Sequence, residues 1–463
     1  MEVCVIGAGY VGLVTSCALA YLGNPVTVVE SNPDRLDMLK EGRVPFHEPG
    51  VSELLSQLFA SGMVQFTPSI DQGVKKADVV FIAVGTPSLP SGEPDLSQVV
   101  TVAKDIGGAL DTSRPRLIIN KSTVPVGSGN WVEMLVNQGI QALQTVAARA
   151  SRPEMPVFSV ASNPEFLREG TAVHDTFYPD RIVVGVTDET AANTMRQLYK
   201  PIIHQSFDAP EFAPRPKNFD TVPFVVTDLA SAEMIKYSAN AFLAMKISFA
   251  NEIANLCEKV GADVRQVAQG IGLDSRIGRQ FLNAGVGWGG SCFGKDVHAL
   301  IEIAREYNSS TALLEATIQV NKEQRARAIT KLQEELKIIK GRTIGLMGLS
   351  FKPDTDDLRD APSLTIAALL EKMGAQVRAF DPVANHVCAK QRPELNIHYC
   401  DNVDDLADGA DALVLVTEWK EFRTTNWHQV GKNMRKRLII DGRNFLEEKD
   451  LVDAGFTYRG IGH

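Results

Sequence analysis

A chain of 463 residues is too long for one hydrophobic core and reads as two or three domains. Its net charge of -9 offers no basic field to nucleic acid, so an anionic ligand has to be met by local clusters of Lys and Arg. The six cysteines have neither metal-ligand nor disulfide-framework spacing, and no window approaches the ~20 apolar residues that span a bilayer. The expectation is a cytoplasmic protein with reduced thiols, no metal, no nucleic-acid partner and no membrane contact.

The opening residues VCVIGAGYVG read as a strand, a tight turn and the start of a helix, with Gly7, Gly9 and Gly12 in GxGxxG spacing; the next strand, PVTVVE, ends on Glu30. Gly7 permits the turn, Gly9 lets a pyrophosphate approach the backbone, and Gly12 lets helix and strand pack closely, while the helix N-terminus favours phosphate charge. A carboxylate at position 30 accepts hydrogen bonds from an adenosine ribose and repels a 2′-phosphate, so NAD is expected rather than NADP. A glycine-rich turn in an unrelated α/β protein is the plainer reading, which the strand, helix and acidic strand end together disfavour. The runs ADVVFIAVGTP, RLIINKSTVPVG, VFSVASNPEF and DRIVVGV continue the alternation of a mostly parallel sheet to about residue 205. Thr123 in KSTVPVG follows a strand, as a turn hydroxyl or a ligand contact. The loop ASNPEFLREGTA sets Glu165, Arg168 and Glu169 past a strand's carboxyl end, where open α/β sheets place ligands, although first-turn helix charge would explain the same residues.

The Pro-rich stretch 209–223 reads as a linker. From Asp228 to Val260 the composition predicts one long helix, a natural spacer or dimer surface. Lys236 and Asn240 share a face of it and can reach one substrate oxygen; spacing alone fits a solvated polar face equally well. Residues 285–296, GVGWGGSCFGKD, place Cys292 behind a glycine-dense turn. Lys295 and nearby amides favour a thiolate there, and Asp296 can hold a water or act as base. A buried structural thiol is the alternative, and it is the reading for Cys4 and Cys17. Apolar strands return in GRTIGLMGLSF, AQVRAFDP, ADALVLVTEW and KRLIIDGRN. The fold class is therefore α/β, with two Rossmann-like doubly wound parallel-sheet domains joined by a long central helix: residues 1–205, 206–330 and 331–463. In the second half GLMGLSF answers GAGYVG with only Gly345 and Gly348, and Asp381 answers Glu30, so a ligand other than NAD is expected there.

Taken together, these segments resemble the UDP-glucose/GDP-mannose dehydrogenase family nearly end to end, most closely its branch that oxidises UDP-glucose. The shared motifs are VIGAGYVGLV, PFHEPGV, VGTP, KSTVPVG, NPEFLREGTA, SAEMIKYSANAFLAMKISFANE, GWGGSCFGKD, GLSFKPDTDDLRDAP and DGRN. The resemblance implies a four-electron oxidation of a primary alcohol to a carboxylate with two NAD, and a homodimer through the long helix. It makes Cys292 the nucleophile, has Lys236, Asn240 and Asp296 stabilise the oxyanion and organise water, and completes the group with Glu165 and Thr123. NAD contacts are implied for Gly7, Gly9, Val11, Gly12, Glu30, Arg35, Thr86, Thr123, Glu169, Lys295 and Arg359. Substrate contacts are implied for Glu165, Phe166, Leu167, Arg168 and Glu169, for Lys236 and Asn240, and for Phe281, Leu282, Asn283, Ala284, Gly285 and Gly289. Phe351 and Lys352 follow, with Arg276 and Arg443 as further candidates, one of them reaching across a dimer interface.

The chain departs from the family pattern at Gly294, where many relatives have Pro, and at Asn283 and Ala284, where bulkier residues or Pro are common. Stretches 145–156 and 209–222 are longer than in compact relatives. An enzyme for GDP-mannose or another UDP-sugar would use the same catalytic group. A two-electron hydroxyacid dehydrogenase would share the first domain without needing Cys292, and a non-catalytic NAD sensor would not need the Cys292, Lys236, Asn240 and Asp296 set.

Overall fold

The computed structural model describes residues 1–87, 89, 94–147 and 155–463. The chain divides into two compact units, Met1–Ser238 and Ala239–His463, and the division falls inside a single helix, Leu229–Val260. That helix begins one residue later than the composition predicts. Of the long stretch 145–156, residues 148–154 lie outside the described residues, and the preceding three end the helix Ser128–Ala147.

The first unit is built on eight strands: β1 (Val3–Ile6), β2 (Val26–Val29), β3 (Val64–Thr67), β4 (Val79–Ile82), β5 (Arg116–Asn120), β6 (Phe158–Ser162), β7 (Ile182–Val186) and β8 (Phe224–Thr227). Their order is β3-β2-β1-β4-β5-β6-β7-β8, and every pairing is parallel except β6 with β7. The central strands β1, β4 and β5 are covered on both faces, which is why they read as continuous apolar runs. Val3 and Val5 pack with Leu13 and Leu54 on one side, while Cys4 and Ile6 pack with Ile106 and Val136 on the other. Cys4 and Cys17 lie in this core, where burial pushes each thiol up to about 12, so both are structural.

The second unit carries β9 (Thr343–Met347), β10 (Gln376–Phe380), β11 (Ile397–Tyr399), β12 (Ala412–Leu415), β13 (Leu438–Asp441) and β14 (Thr457–Arg459). They run all parallel in the order β11-β10-β9-β12-β13-β14. Relative to their first strands, this is the order of the first six strands of the other unit, and it is that of a doubly wound dinucleotide-binding sheet. Both sheets reverse strand order beside their first strand, and open α/β sheets bind ligands in the crevice at that point.

Candidate active site

In the first unit the strand β1 ends in a turn that only glycine fits comfortably. Gly7 has φ +103° and donates its N–H to Val29 O (2.8 Å), and a side chain at Gly12 would collide with the Gly7 carbonyl. Gly9 caps the helix Tyr10–Tyr21, and the space a Cβ would enter there is open. A pyrophosphate fits this cradle, facing backbone N–H groups at a helix N-terminus. Glu30 is 5 % exposed and fixed by Ala8 N (3.2 Å), Asn32 N (2.8 Å) and Arg35 Nη1 (3.3 Å). Thr86 ties the two neighbouring strand-end loops together by donating to Thr123 O (2.8 Å).

Beyond β5 and β6 a narrow cleft is lined by Asn120, Lys121, Thr123, Glu165, Glu233 and Lys236 among others. Lys236 Nζ donates to Glu165 O (2.6 Å) and pairs with Glu165 Oε1 (2.9 Å), both side chains being almost fully buried. The other carboxylate oxygen of Glu165 accepts Leu167 N (2.9 Å). Phe166 lies under the Arg181 guanidinium, 3.9 Å from its ring centroid, and Arg168 is held by Asp175 (2.7 Å). Four participants here, Glu48, Tyr10, Glu233 and Lys121, carry no role in the sequence reading. Glu48 of the PFHEPGV motif accepts Gly170 N (2.5 Å) and Ala172 N (2.6 Å), and the Tyr10 hydroxyl also accepts Gly170 N (2.9 Å), so both pin the end of the Glu165–Glu169 loop. Glu233 gathers Gly127 N (2.7 Å), Gly129 N (2.9 Å) and Ser162 Oγ (2.9 Å), and burial raises its carboxyl above the ordinary range. Lys121 donates to Asn163 Oδ1 (3.1 Å) inside the cleft wall. Its place in KSTVPVG was visible in the sequence; its burial was not.

The second unit holds Cys292 at the N-cap of the helix Phe293–Glu306, partly exposed, with its Sγ 3.5 Å from Ser291 Oγ. The helix N-terminus brings the partial positive end of its dipole to this end of the loop. One turn on, Asp296 is buried, receives Asn240 Nδ2 on one oxygen (2.6 Å) and meets Lys295 Nζ on the other (2.8 Å). Thus Asn240, Lys295 and Asp296 form a single hydrogen-bonded group in the turn following Cys292.

The glycine-rich loop before the cysteine is held through its backbone. Asn251 accepts Gly285 N (2.8 Å), Gln324 donates to Gly285 O (2.8 Å), and Asn321 both accepts Trp288 N (2.8 Å) and donates to Trp288 O (3.0 Å). Arg443 donates to Gly287 O (2.8 Å) and Arg325 to Trp288 O (3.1 Å). Gly290 N donates to Arg359 O (2.9 Å); a side chain at Gly289 would collide with the Asp360 carbonyl and the Pro362 ring, and one at Gly290 with the Phe351 ring. Phe281 has φ +64°; Leu282 and Ala284 point into the protein, and Asn283 is exposed. Arg276 is 87 % exposed and pairs with Asp274 (2.6 Å), Arg359 pairs with Asp357 (2.6 Å), and Lys352 Nζ stands 5.3 Å over the Phe351 ring.

The second sheet repeats the turn of the first. Gly348 has φ +92° and donates to Phe380 O (2.8 Å), so it is the counterpart of Gly7, while Gly345 lies within β9 and makes room for Leu406 and Leu413. Asp381 differs from Glu30 in being saturated: Leu349 N, Ser350 N, Ser350 Oγ and Trp419 Nε1 donate to one oxygen, and Val383 N and Ala384 N to the other. It has no acceptor capacity left for a ribose.

A doubly wound sheet with a glycine cradle and an acidic strand end, followed by a second such sheet and an N-capping cysteine, defines a dinucleotide-dependent oxidoreductase. Residues 1–203 match the NAD binding domain, 230–323 the central domain and 345–448 the UDP binding domain of the UDP-glucose/GDP-mannose dehydrogenase family. The chain belongs to that family, and its cofactor is NAD. It is 43% identical over 469 residues to a UDP-glucose 6-dehydrogenase of Pseudomonas aeruginosa, covering 100% of this chain and 97% of that one. It is 41% identical over 462 residues to the UDP-glucose 6-dehydrogenase YwqF of Bacillus subtilis, covering 100% and 98%. Among solved structures it superposes on a UDP-glucose dehydrogenase from Pyrobaculum islandicum with a TM-score of 0.85 at 36% identity, covering 100% and 97%. No helix among the described residues is long and apolar enough to cross a membrane.

Proposed function

We propose that this chain oxidises the C6 alcohol of UDP-glucose to the carboxylate of UDP-glucuronate, in two oxidations through a covalent adduct on Cys292. The observation that carries the reading is Cys292 at a helix N-terminus, one turn before an Asp296 clamped by Asn240 and Lys295. Gly7, Gly9 and Glu30 would hold NAD, which would supply the hydride acceptor for both oxidations at C6. The first leaves an aldehyde, whose carbonyl carbon the Cys292 thiolate attacks to form a thiohemiacetal; the second leaves a thioester. A water held by Asp296 adds to the thioester carbonyl, the C–S bond breaks, and the acid departs as the thiolate returns. Lys236 and Asn240 donate to the C6 oxygen whenever it bears negative charge. Lys352, Arg276 and Arg443 are our candidates for the diphosphate and sugar, since cationic donors suit those oxygens. Offered UDP-glucose, GDP-mannose and UDP-N-acetylglucosamine separately, the enzyme is expected to turn over only the first at an appreciable rate.

Residues 1–205 would serve NAD, 206–330 the helical centre and 331–463 the nucleotide sugar, in a cytoplasmic setting that keeps the cysteines reduced. Glu30→Ala is expected to weaken NAD binding roughly tenfold, about 1.4 kcal/mol, and to narrow the preference over NADP, as titration of both cofactors would show. Unchanged affinity for both would remove Glu30 from the ribose site. We also infer a homodimer through the long helix. Phe242, Phe249 and Leu256 recur every seven residues on it, 57%, 50% and 54% exposed, as one apolar stripe. Phe249→Glu should shift the mass in light scattering to that of the monomer; a variant that elutes as the parent does would place the interface elsewhere.

A further inference from the structure

The cleft beyond β5 and β6 contains a charged group that the mechanism above does not use. Lys121 follows the last residue of β5, is 8% exposed, and has a hydrogen bond to Asn163, a neutral amide. Tyr199 donates to the same Asn163 oxygen (2.7 Å), and Asn163 donates onward to Val183 O (2.8 Å), so this amide is anchored without the lysine. Burial brings the Lys121 ammonium down to about 8, with Glu165 opposing the fall and Lys236 adding to it. An ammonium in so dry a place weakens the fold, because the unfolded chain solvates it better. A lysine placed there for packing alone would be better replaced by an apolar side chain of the same length.

The charges around it indicate what it does. The cleft is lined by two carboxylates, Glu165 and Glu233, and two ammoniums, Lys121 and Lys236. Lys236 is already paired with Glu165 at 2.9 Å. Without Lys121 the wall would hold one more negative charge than positive, next to the side chain that has to stabilise an anionic oxygen. We propose that Lys121 is a positioning residue of the reaction: its buried ammonium offsets the second carboxylate of the cleft and leaves the Lys236 charge to act on the C6 oxygen. The charges acting on it directly are Glu165 on the loop after β6 and Lys236 on the long helix; Glu233 lines the same cleft, and Tyr199 is reached through Asn163.

The inference rests on the reading that Lys236 works on the C6 oxygen. Its test is the pH dependence of kcat with UDP-glucose and NAD in the full-length enzyme, compared for the parent, Lys121→Met and Lys121→Arg. The parent should lose rate as pH rises through about 8, where Lys121 gives up its proton. Lys121→Met should lose roughly tenfold or more in kcat at pH 7 and show no limb near that pH. Lys121→Arg keeps its charge and should retain most of the rate, with the limb moved to higher pH. Thermal unfolding should show Lys121→Met at pH 7 no less stable than the parent, since a buried cation is removed and Asn163 keeps its Tyr199 partner. For the parent, the unfolded chain binds more protons between pH 8 and the ordinary lysine value, so this group adds stability as pH rises across that window. A Lys121→Met enzyme within twofold of the parent with the same limb overturns the proposal, as does an equal loss in Lys121→Met and Lys121→Arg with the limb unmoved. Lys236→Met separates the two readings. If it turns over as the parent does, the role of Lys236 fails; if it is inactive while Lys121→Met is unaffected, only the role of Lys121 fails.

Discussion

Cys292→Ala is expected to form UDP-glucuronate at least about 10⁴-fold more slowly than the parent, the size of loss seen when a covalent nucleophile is removed. The aldehyde reached after the first oxidation has no sulfur to trap it, and the second oxidation needs a tetrahedral adduct bearing a hydrogen on C6. The loss should appear in kcat, with NAD affinity unchanged, because the cofactor cradle at Gly7, Gly9 and Glu30 is built from another part of the chain. Folding should be intact: the thiol is partly exposed, and the loop before it is held by Asn251, Asn321, Gln324 and Arg443 through backbone atoms. Product analysis by mass spectrometry checks this directly. Acid formation within tenfold of the parent would exclude the covalent route and leave a hydrated aldehyde as the second substrate.

Lys236→Met is expected to lower kcat by roughly 10²–10³, the range for removing one donor to a developing oxyanion. The substitution also strands Glu165, whose side chain is 7% exposed and would keep only the Leu167 amide of its present hydrogen bonds with known partners. Breaking a buried pair on one side costs about 3–5 kcal/mol, so urea unfolding should shift in the same variant. Lys236→Met combined with Glu165→Gln removes both charges and should recover most of the stability but little of the rate. That split between stability and kcat separates a functional amine from a structural ion pair; recovery of both together would assign the pair to the fold.

Much of this architecture can be read from the residues. The two strand series and the long helix declare themselves through β-branched runs and through 32 residues without Pro or Gly. The short strands are harder to see. β11 has three residues, β3 alternates apolar with polar, and β8 directly follows the proline-rich stretch that reads as a linker. The antiparallel entry of β7 is likewise invisible, because strand direction depends on how the chain crosses after the short helix Ala172–Phe177 and not on the strand's own composition. In the site, Cys292 and Asp296 stand out by their glycine-rich and charged neighbours. Glu48, Glu233 and Lys121 do not, since each earns its meaning from partners 40 or more positions away in the chain: Gly170, Gly127 and Asn163. The register of the second turn is likewise hidden, because GLMGLSF offers two glycines and only Gly348 takes the left-handed conformation.

The most direct test of the account is the number of NADH formed per UDP-glucose consumed, followed to completion with excess NAD. Two NADH and one UDP-glucuronate per sugar is the predicted result. One NADH per sugar, with an aldehyde as the end product, would contradict it and leave an ordinary two-electron dehydrogenase in which Cys292 has no covalent part.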